Sequence, residues 1–238
     1  MKKAIIITAT QGLGFSLQKT SKQYGISSKT YSIGKCGVGE SKALPAEKTD
    51  YALDISNEVT TKIEDNFDFI VWNTGVFLHK EFSKTTDAEI DTLIDLHYRF
   101  PLKIMRNLHQ KQTKPYHFIA ISSCSSWRMR EFEAIYCGLC AAKATFVRNF
   151  ANELSDNLPG SKVTLINPGG VRTAFYYEED EPNLEGYLNQ EQMSNFIWSS
   201  SLEQEKTFVE IQYLRNKTSV CGFSEPIIEY GTKCAETI

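Results

Sequence analysis

The chain has 238 residues, 41% of them hydrophobic, 23% charged and 12% aromatic, enough apolar material for a sizeable core. Its net charge of −3, with both signs mixed along the chain, excludes a strongly basic nucleic-acid platform and a polybasic membrane anchor, and no run approaches the ~18–20 apolar residues of a membrane span. Six cysteines are too sparse for a disulfide framework, so reduced thiols in a cytoplasmic protein are expected.

The start, Met1-Lys2-Lys3, imitates a signal peptide, but the apolar run that follows breaks at Thr8, Thr10 and Gln11 and no cleavage site appears. Ala4–Thr8 reads as a first, β-branched strand, followed by Gln11-Gly12-Leu13-Gly14 and an amphipathic helix from Phe15 to Tyr24. Lys29–Ile33, Asp50–Leu53 and Asp68–Trp72 read as the next three strands. A long helix is predicted over Asp87–Gln112, a fifth strand over His117–Ser122, and a second long helix over Ile135–Asn157. Lys162–Ile166 is a sixth strand, stopped by Pro168-Gly169-Gly170. A helix over Gln192–Leu202 and a final strand over Phe208–Leu214 complete the pattern, and residues 216–238 read as a tail. Alternating helices and Val/Ile-rich strands predict one doubly wound parallel α/β sheet, and no linker or repeat divides it.

The junction of the first strand with Gly12 and Gly14 is where such a sheet receives a phosphate. Glycines let the backbone approach, and the helix N-terminus presents free N–H groups and the positive end of its dipole. The same pair would also serve a plain tight turn.

Taken together, these motifs resemble the short-chain dehydrogenase/reductase family over roughly residues 1–215. The family's Thr-Gly-x-x-x-Gly-x-Gly falls on Ile7-Thr8-Ala9-Thr10-Gln11-Gly12-Leu13-Gly14, with the last two glycines kept. Asp54 sits where the family has an aspartate on the adenine ring. Trp72-Asn73-Thr74-Gly75 corresponds to its Asn-Asn-Ala-Gly, and Pro168, Gly169, Val171 and Thr173 fall in its Pro-Gly segment. Lys35, just past the second strand, implies NADP, because a 2′-phosphate calls for a cation; NAD is the alternative, and so is a plain surface lysine.

The family reduces carbonyls with a serine, a tyrosine, a lysine four residues after the tyrosine, and an asparagine on the preceding helix. The resemblance assigns the serine to Ser123, with Ser122 and Ser125 as rivals, and the tyrosine to Tyr136, thirteen residues later. The lysine position is Cys140 and the asparagine position is His97. Lys143 falls at about 40° on a helical wheel counted from Leu139, inside the apolar stripe of Phe146, Phe150 and Leu154. It is read either as a displaced catalytic cation reaching back one turn, or as a snorkelling or subunit-contact lysine. Trp127, Arg128 and Arg130 are placed at the substrate mouth, and Phe175-Tyr176-Tyr177 with the acidic run 178–181 at the lid position.

The resemblance implies an NAD(P)-dependent oxidoreductase acting on a carbonyl/alcohol pair, with no metal, no nucleic acid and no membrane as partner. It also implies a homodimer or homotetramer through the two long helices, which carry more apolar positions than one sheet face can cover. Two other readings stay open. One is a catalytically degraded relative that binds a dinucleotide or a partner as sensor or scaffold. The other is a thiol switch at Cys137-Gly138-Leu139-Cys140, with Cys124 and His97 nearby.

Overall fold

The computed structural model describes residues 1–8, 12–34, 51–54, 66–173, 185–216 and 222–233, the segments 32–34 and 51–54 by their backbone alone. Eight strands form one sheet in the order β3-β2-β1-β4-β5-β6-β7-β8. They are β1 Lys2–Ile7, β2 Ile26–Gly34, β3 Tyr51–Asp54, β4 Phe69–Trp72, β5 His117–Ile121, β6 Lys162–Pro168, β7 Phe208–Arg215 and β8 Pro226–Tyr230. The first seven are parallel; β8 runs antiparallel to β7, from Ile211 opposite Tyr230 to Arg215 opposite Pro226. The helices are α1 Gly12–Ser21, α2 Asp87–Ile94, α3 Phe100–Lys111, α4 Ala134–Asn157 and α5 Gln190–Glu203.

The central strands are apolar along their length because both sheet faces are covered. Side chains alternate across a strand, so Ile5 and Ile7 enter one core with Trp72, Phe118 and Val147, while Ala4 and Ile6 enter the other with Leu17, Ile119 and Trp198. The first core lies under α3 and α4, the second under α1 and α5.

Two expectations are corrected. The long helix expected over Asp87–Gln112 is two helices joined by a π-helical turn, Asp95–Arg99, in which the Phe100 N–H bonds to the Asp95 carbonyl. Pro101 supplies the reason: it has no N–H to donate, and its ring crowds the carbonyl four residues back, so the helix widens just ahead of it. The expected tail contains β8, whose main chain completes the sheet edge. Its exposed Ile227, Ile228 and Tyr230 give no alternating pattern from which a strand could be read. On the two long helical segments Tyr98, Leu102, Phe146 and Phe150 are half-buried against the first core, while the large exposed apolar side chains among the described residues lie elsewhere, as at Phe132, Phe223 and Tyr230. Among the described residues no helix is long and apolar enough to cross a membrane.

Candidate active site

The carboxyl ends of β1, β4, β5 and β6 open on a cavity of about 370 Å³. Its wall contains Thr8, Gly12, Leu13, Asn73, Gly75, His97, Ser123, Tyr136, Lys143, Pro168, Gly169, Val171 and Thr173, residues spread over 166 positions of sequence. Gly14 is buried in α1 and does not reach this wall. Thr10, Gln11 and Lys35 lie outside the described residues, as do 175–181, and Asp54 is described only as the backbone end of β3.

At the β1 end, Thr8 adopts φ +67°, an unusual conformation for a β-branched residue. It is over-determined by its neighbours: the Thr8 N–H donates to the Tyr31 carbonyl at 2.6 Å, and Asn73 Nδ2 donates to the Thr8 carbonyl at 3.0 Å. Among the described residues the buried Thr8 hydroxyl oxygen has no hydrogen-bond partner. Gly12, at φ +59°, starts α1, and a Cβ there would sit 3.3 Å from Thr173 Cβ. A backbone stripped of side chain at a helix N-terminus, a threonine facing it and an orphaned hydroxyl at the same strand end fit the phosphates and ribose of a dinucleotide.

At the β5 end, the three serines separate. Ser122 Oγ donates to the Cys140 carbonyl at 2.9 Å, and Ser125 Oγ reaches Glu133 Oε2 at 3.4 Å. Ser123 Oγ accepts from the Ser125 N–H at 3.1 Å, and its O–H has no acceptor within hydrogen-bond distance among the described residues. The Tyr136 ring is held edge-on between Phe77 and His97, with centroids 5.2 and 5.5 Å away, and its hydroxyl bonds to the Cys140 thiol. Burial pushes that thiol up to about 12, although the Lys143 charge and the Tyr136 hydrogen bond act in the other direction, so Cys140 is a neutral thiol at neutral pH.

Lys143 neither snorkels nor faces a subunit contact. It is 2% exposed, and its Nζ donates to the Thr74 carbonyl at 2.7 Å and the Ile121 carbonyl at 3.1 Å, bridging the ends of β4 and β5. The ammonium also lies 4.9 Å from the centroid of the Trp72 ring. Burial lowers its pKa to about 8, opposed by the neighbouring Cys140. The π turn delivers His97, which is 3% exposed. Its Nε2 lies 2.9 Å from the Val76 nitrogen and 2.5 Å from the Val76 oxygen, and its buried Nδ1 has no partner among the described residues. Burial first, then the Lys143 charge, brings His97 down to about 4, against the Val76 backbone bond, so the ring is neutral.

Of the residues expected at the mouth, Arg130 lines the cavity. Trp127 instead turns into the core, where its Nε1 donates to Gln212 Oε1 at 2.9 Å, and Arg128 stacks on it at 4.6 Å. The sequence reading missed Phe77, Tyr187 and Arg215 on the wall, which stand outside every motif. The position of Arg215 at the last residue of the final parallel strand is the one signal that could have found it.

A family model described as enoyl-(acyl carrier protein) reductase matches residues 45–197. The uncharacterized oxidoreductase YmfI of Bacillus subtilis is 26% identical over 190 residues, covering 72% of this chain and 76% of that protein. A short-chain dehydrogenase/reductase from Vibrio parahaemolyticus superposes with a TM-score of 0.68 at 20% identity, covering 90% of this chain and 97% of that one. An alcohol dehydrogenase from Thermococcus sibiricus, solved with 5-hydroxy-NADP, superposes with a TM-score of 0.65 at 18% identity, covering 92% and 97%.

Proposed function

This chain belongs to the short-chain dehydrogenase/reductase family, and we propose that it is an NADP-dependent reductase in which Lys143 stands in for the lysine absent from position 140. The observation that carries the proposal is the meeting of Ser123, Tyr136 and the buried Lys143 in one cavity, whose other end is the Gly12–Thr173 cradle. Gly12, Leu13 and Thr173 would hold the cofactor phosphates, with the Thr8 hydroxyl beside them, and Asn73 holds the Thr8 backbone in place. The preference for NADP rests on Lys35 and agrees with the nucleotide in the Thermococcus structure.

The hydride for the carbonyl carbon would be supplied by the nicotinamide of a bound cofactor. The Ser123 O–H donates to the carbonyl oxygen and fixes its position. Tyr136 hands that oxygen a proton as negative charge develops on it. The Lys143 ammonium, on the cavity floor and shielded from water, favours the tyrosinate that remains, because a desolvated cation acts more strongly than one in water. His97 occupies the place of the asparagine, and its orphaned Nδ1 is available to a water between the floor and the bulk.

Calorimetry with both reduced cofactors, then a carbonyl screen, tests the reading: NADPH is expected to bind several-fold tighter than NADH. Lys143→Met should cut turnover at least tenfold with NADPH affinity and fold intact, and Cys140→Lys should restore activity in the double variant. Full activity in Lys143→Met would remove the lysine from the mechanism. Cys140 in the lysine position favours a second reading, a dinucleotide sensor, which tight NADPH binding with no turnover across the screen would select. Self-association into a homodimer or homotetramer belongs to the same proposal, and light scattering that finds only the 27.0 kDa monomer would remove it.

A further inference from the structure

The far half of the cavity holds a cation that the mechanism does not use. Arg215 ends β7, and its stem lies along the turn after β6: a Cβ on Gly169 would sit 3.2 Å from Arg215 Cγ. Tyr187 presses on the same turn, with a ring atom 2.5 Å from where a Gly170 Cβ would be. The Arg215 guanidinium lies over that ring, 4.4 Å from its centroid. Two successive glycines therefore make room for this arginine–tyrosine pair, which a side chain at Gly170 would displace and one at Gly169 would crowd.

A guanidinium packed over a ring is restricted in its orientation while N–H donors at its edge stay available, and such a fork takes a carboxylate through two parallel hydrogen bonds. Among the described residues no carboxylate lies within ion-pair distance of Arg215. Arg130 supplies a second cation on the same side. Its Nη2 lies 3.8 Å from Cys124 Sγ, and Cys124 packs with Trp127 and Leu214, which brings the 124–130 loop over the end of β7. Against Arg130, Arg215 and Lys143, Glu133 is the one carboxylate among the described residues of the wall, and it already accepts from Ser125.

This positive charge is too far away to serve the cofactor phosphates. Gly12 follows β1, and β7 lies four strands across the sheet, roughly 19 Å at the ordinary strand spacing.

We infer that the substrate of this site is an oxo acid, its carboxylate held by the Arg215 fork with Arg130 beside it; this rests on the reductase reading above. The carbonyl carbon gains the hydride as a new C–H bond. The C=O π bond breaks, the oxygen takes the Tyr136 proton, NADPH becomes NADP⁺, and the carboxylate leaves unchanged as part of a hydroxy acid.

The test is a panel of 2-, 3- and 4-oxo acids, their methyl esters and a phosphorylated ketose, assayed with NADPH on the wild type, Arg215→Met and Arg215→Lys. For the best acid, kcat/KM should exceed that of its ester at least a hundredfold. That ratio should fall at least thirtyfold in Arg215→Met, mostly through KM, and recover in part in Arg215→Lys, with NADPH affinity reporting the fold. Equal rates on acid and ester, or a ratio that Arg215→Met leaves alone, would overturn the inference while the reductase reading stands. A phosphorylated ketose preferred over every acid would also overturn it. If nothing on the panel turns over, calorimetry of the same acids with the protein–NADP⁺ complex decides. Binding that weakens at least tenfold in Arg215→Met keeps the carboxylate site and removes the reductase reading; no binding, or equal binding, removes the inference.

Discussion

Thr8 and Lys143 are side chains that local rules would reject, and each has a measurable consequence. A β-branched residue at φ +67° carries on the order of 1–3 kcal/mol of strain, whereas glycine costs about 0.5–1 kcal/mol more unfolded-state entropy. Thr8→Gly also removes the orphaned hydroxyl, so the variant should be more stable by about 1 kcal/mol, read as a higher urea midpoint; a lower midpoint would show that the loop is not strained. Lys143 titrates near 8 when folded and near 10.5 when unfolded. Between those values the unfolded chain binds the extra proton, so stability rises with pH across that window. The Cys140 thiol, raised to about 12, opposes this in both proteins, so urea unfolding at pH 7.5 and pH 10 should show a more favourable change with pH in the wild type than in Lys143→Met, and equal slopes would place the ammonium in contact with water.

Among the elements, α4 is the one that ties the site to the far edge of the sheet. Arg148 on α4 makes a two-pronged ion pair with Glu210 on β7, at 3.0 and 2.8 Å. The same carboxylate accepts from Asn167 Nδ2 at 2.9 Å and Thr232 Oγ1 at 2.8 Å. Burial pushes the Glu210 carboxyl up, but these donors, Arg148 foremost, outweigh it and hold the group below its ordinary value. Arg148→Met leaves a 1%-exposed carboxylate without its cation and should cost about 2–3 kcal/mol in chemical denaturation. Adding Glu210→Leu should recover part of that loss, since the stranded charge is then gone; a double variant as unstable as the sum of both singles would contradict this. The π turn serves the site in another way. It trades one regular helical turn for the placement of His97, and Pro101 makes the trade local and cheap.

For the whole molecule the consequence is acid lability. His97 and His117 are buried neutral, brought to about 4 and about 3 chiefly by burial, and His117 Nε2 is held 2.7 Å from Thr164 Oγ1. The unfolded chain protonates both near 6.5, so stability is full above that pH and falls as pH drops through the window toward 4 and 3. His97 alone contributes about 3 kcal/mol to that fall. Glu210 adds to it below the ordinary glutamate range, because a depressed carboxylate loses its stabilising effect as it protonates. Unfolding at pH 7, 6 and 5 should show a steep loss of midpoint, and His97→Asn should flatten it measurably. An unchanged slope in that variant would mean that His97 is already protonated in the folded state.

The fold was legible in the residues because its causes are local. Ile5-Ile6-Ile7 and Phe69-Ile70-Val71-Trp72 are apolar on both faces, as only strands covered on both sides can be, and glycines stand where β1 turns into α1. Gly12 stood out by its place after the first strand, whereas Ser123, Tyr136 and Thr173 came from the resemblance to a family's motifs. That resemblance could not choose among three neighbouring serines, because the choice depends on Cys140 and Glu133 capturing two of them from another helix. Nor could periodicity show the π turn, the strand in 226–230 or the arginine on the tyrosine, since a wider turn, an edge pairing and a stack across a glycine leave no repeat in composition. Lys143 is the clearest division between the two. Its place on the apolar stripe is a fact of sequence, but only the converging carbonyls of Thr74 and Ile121, 69 and 22 residues away, make a buried ammonium affordable there, because a charge leaves water only where fixed dipoles replace its hydration.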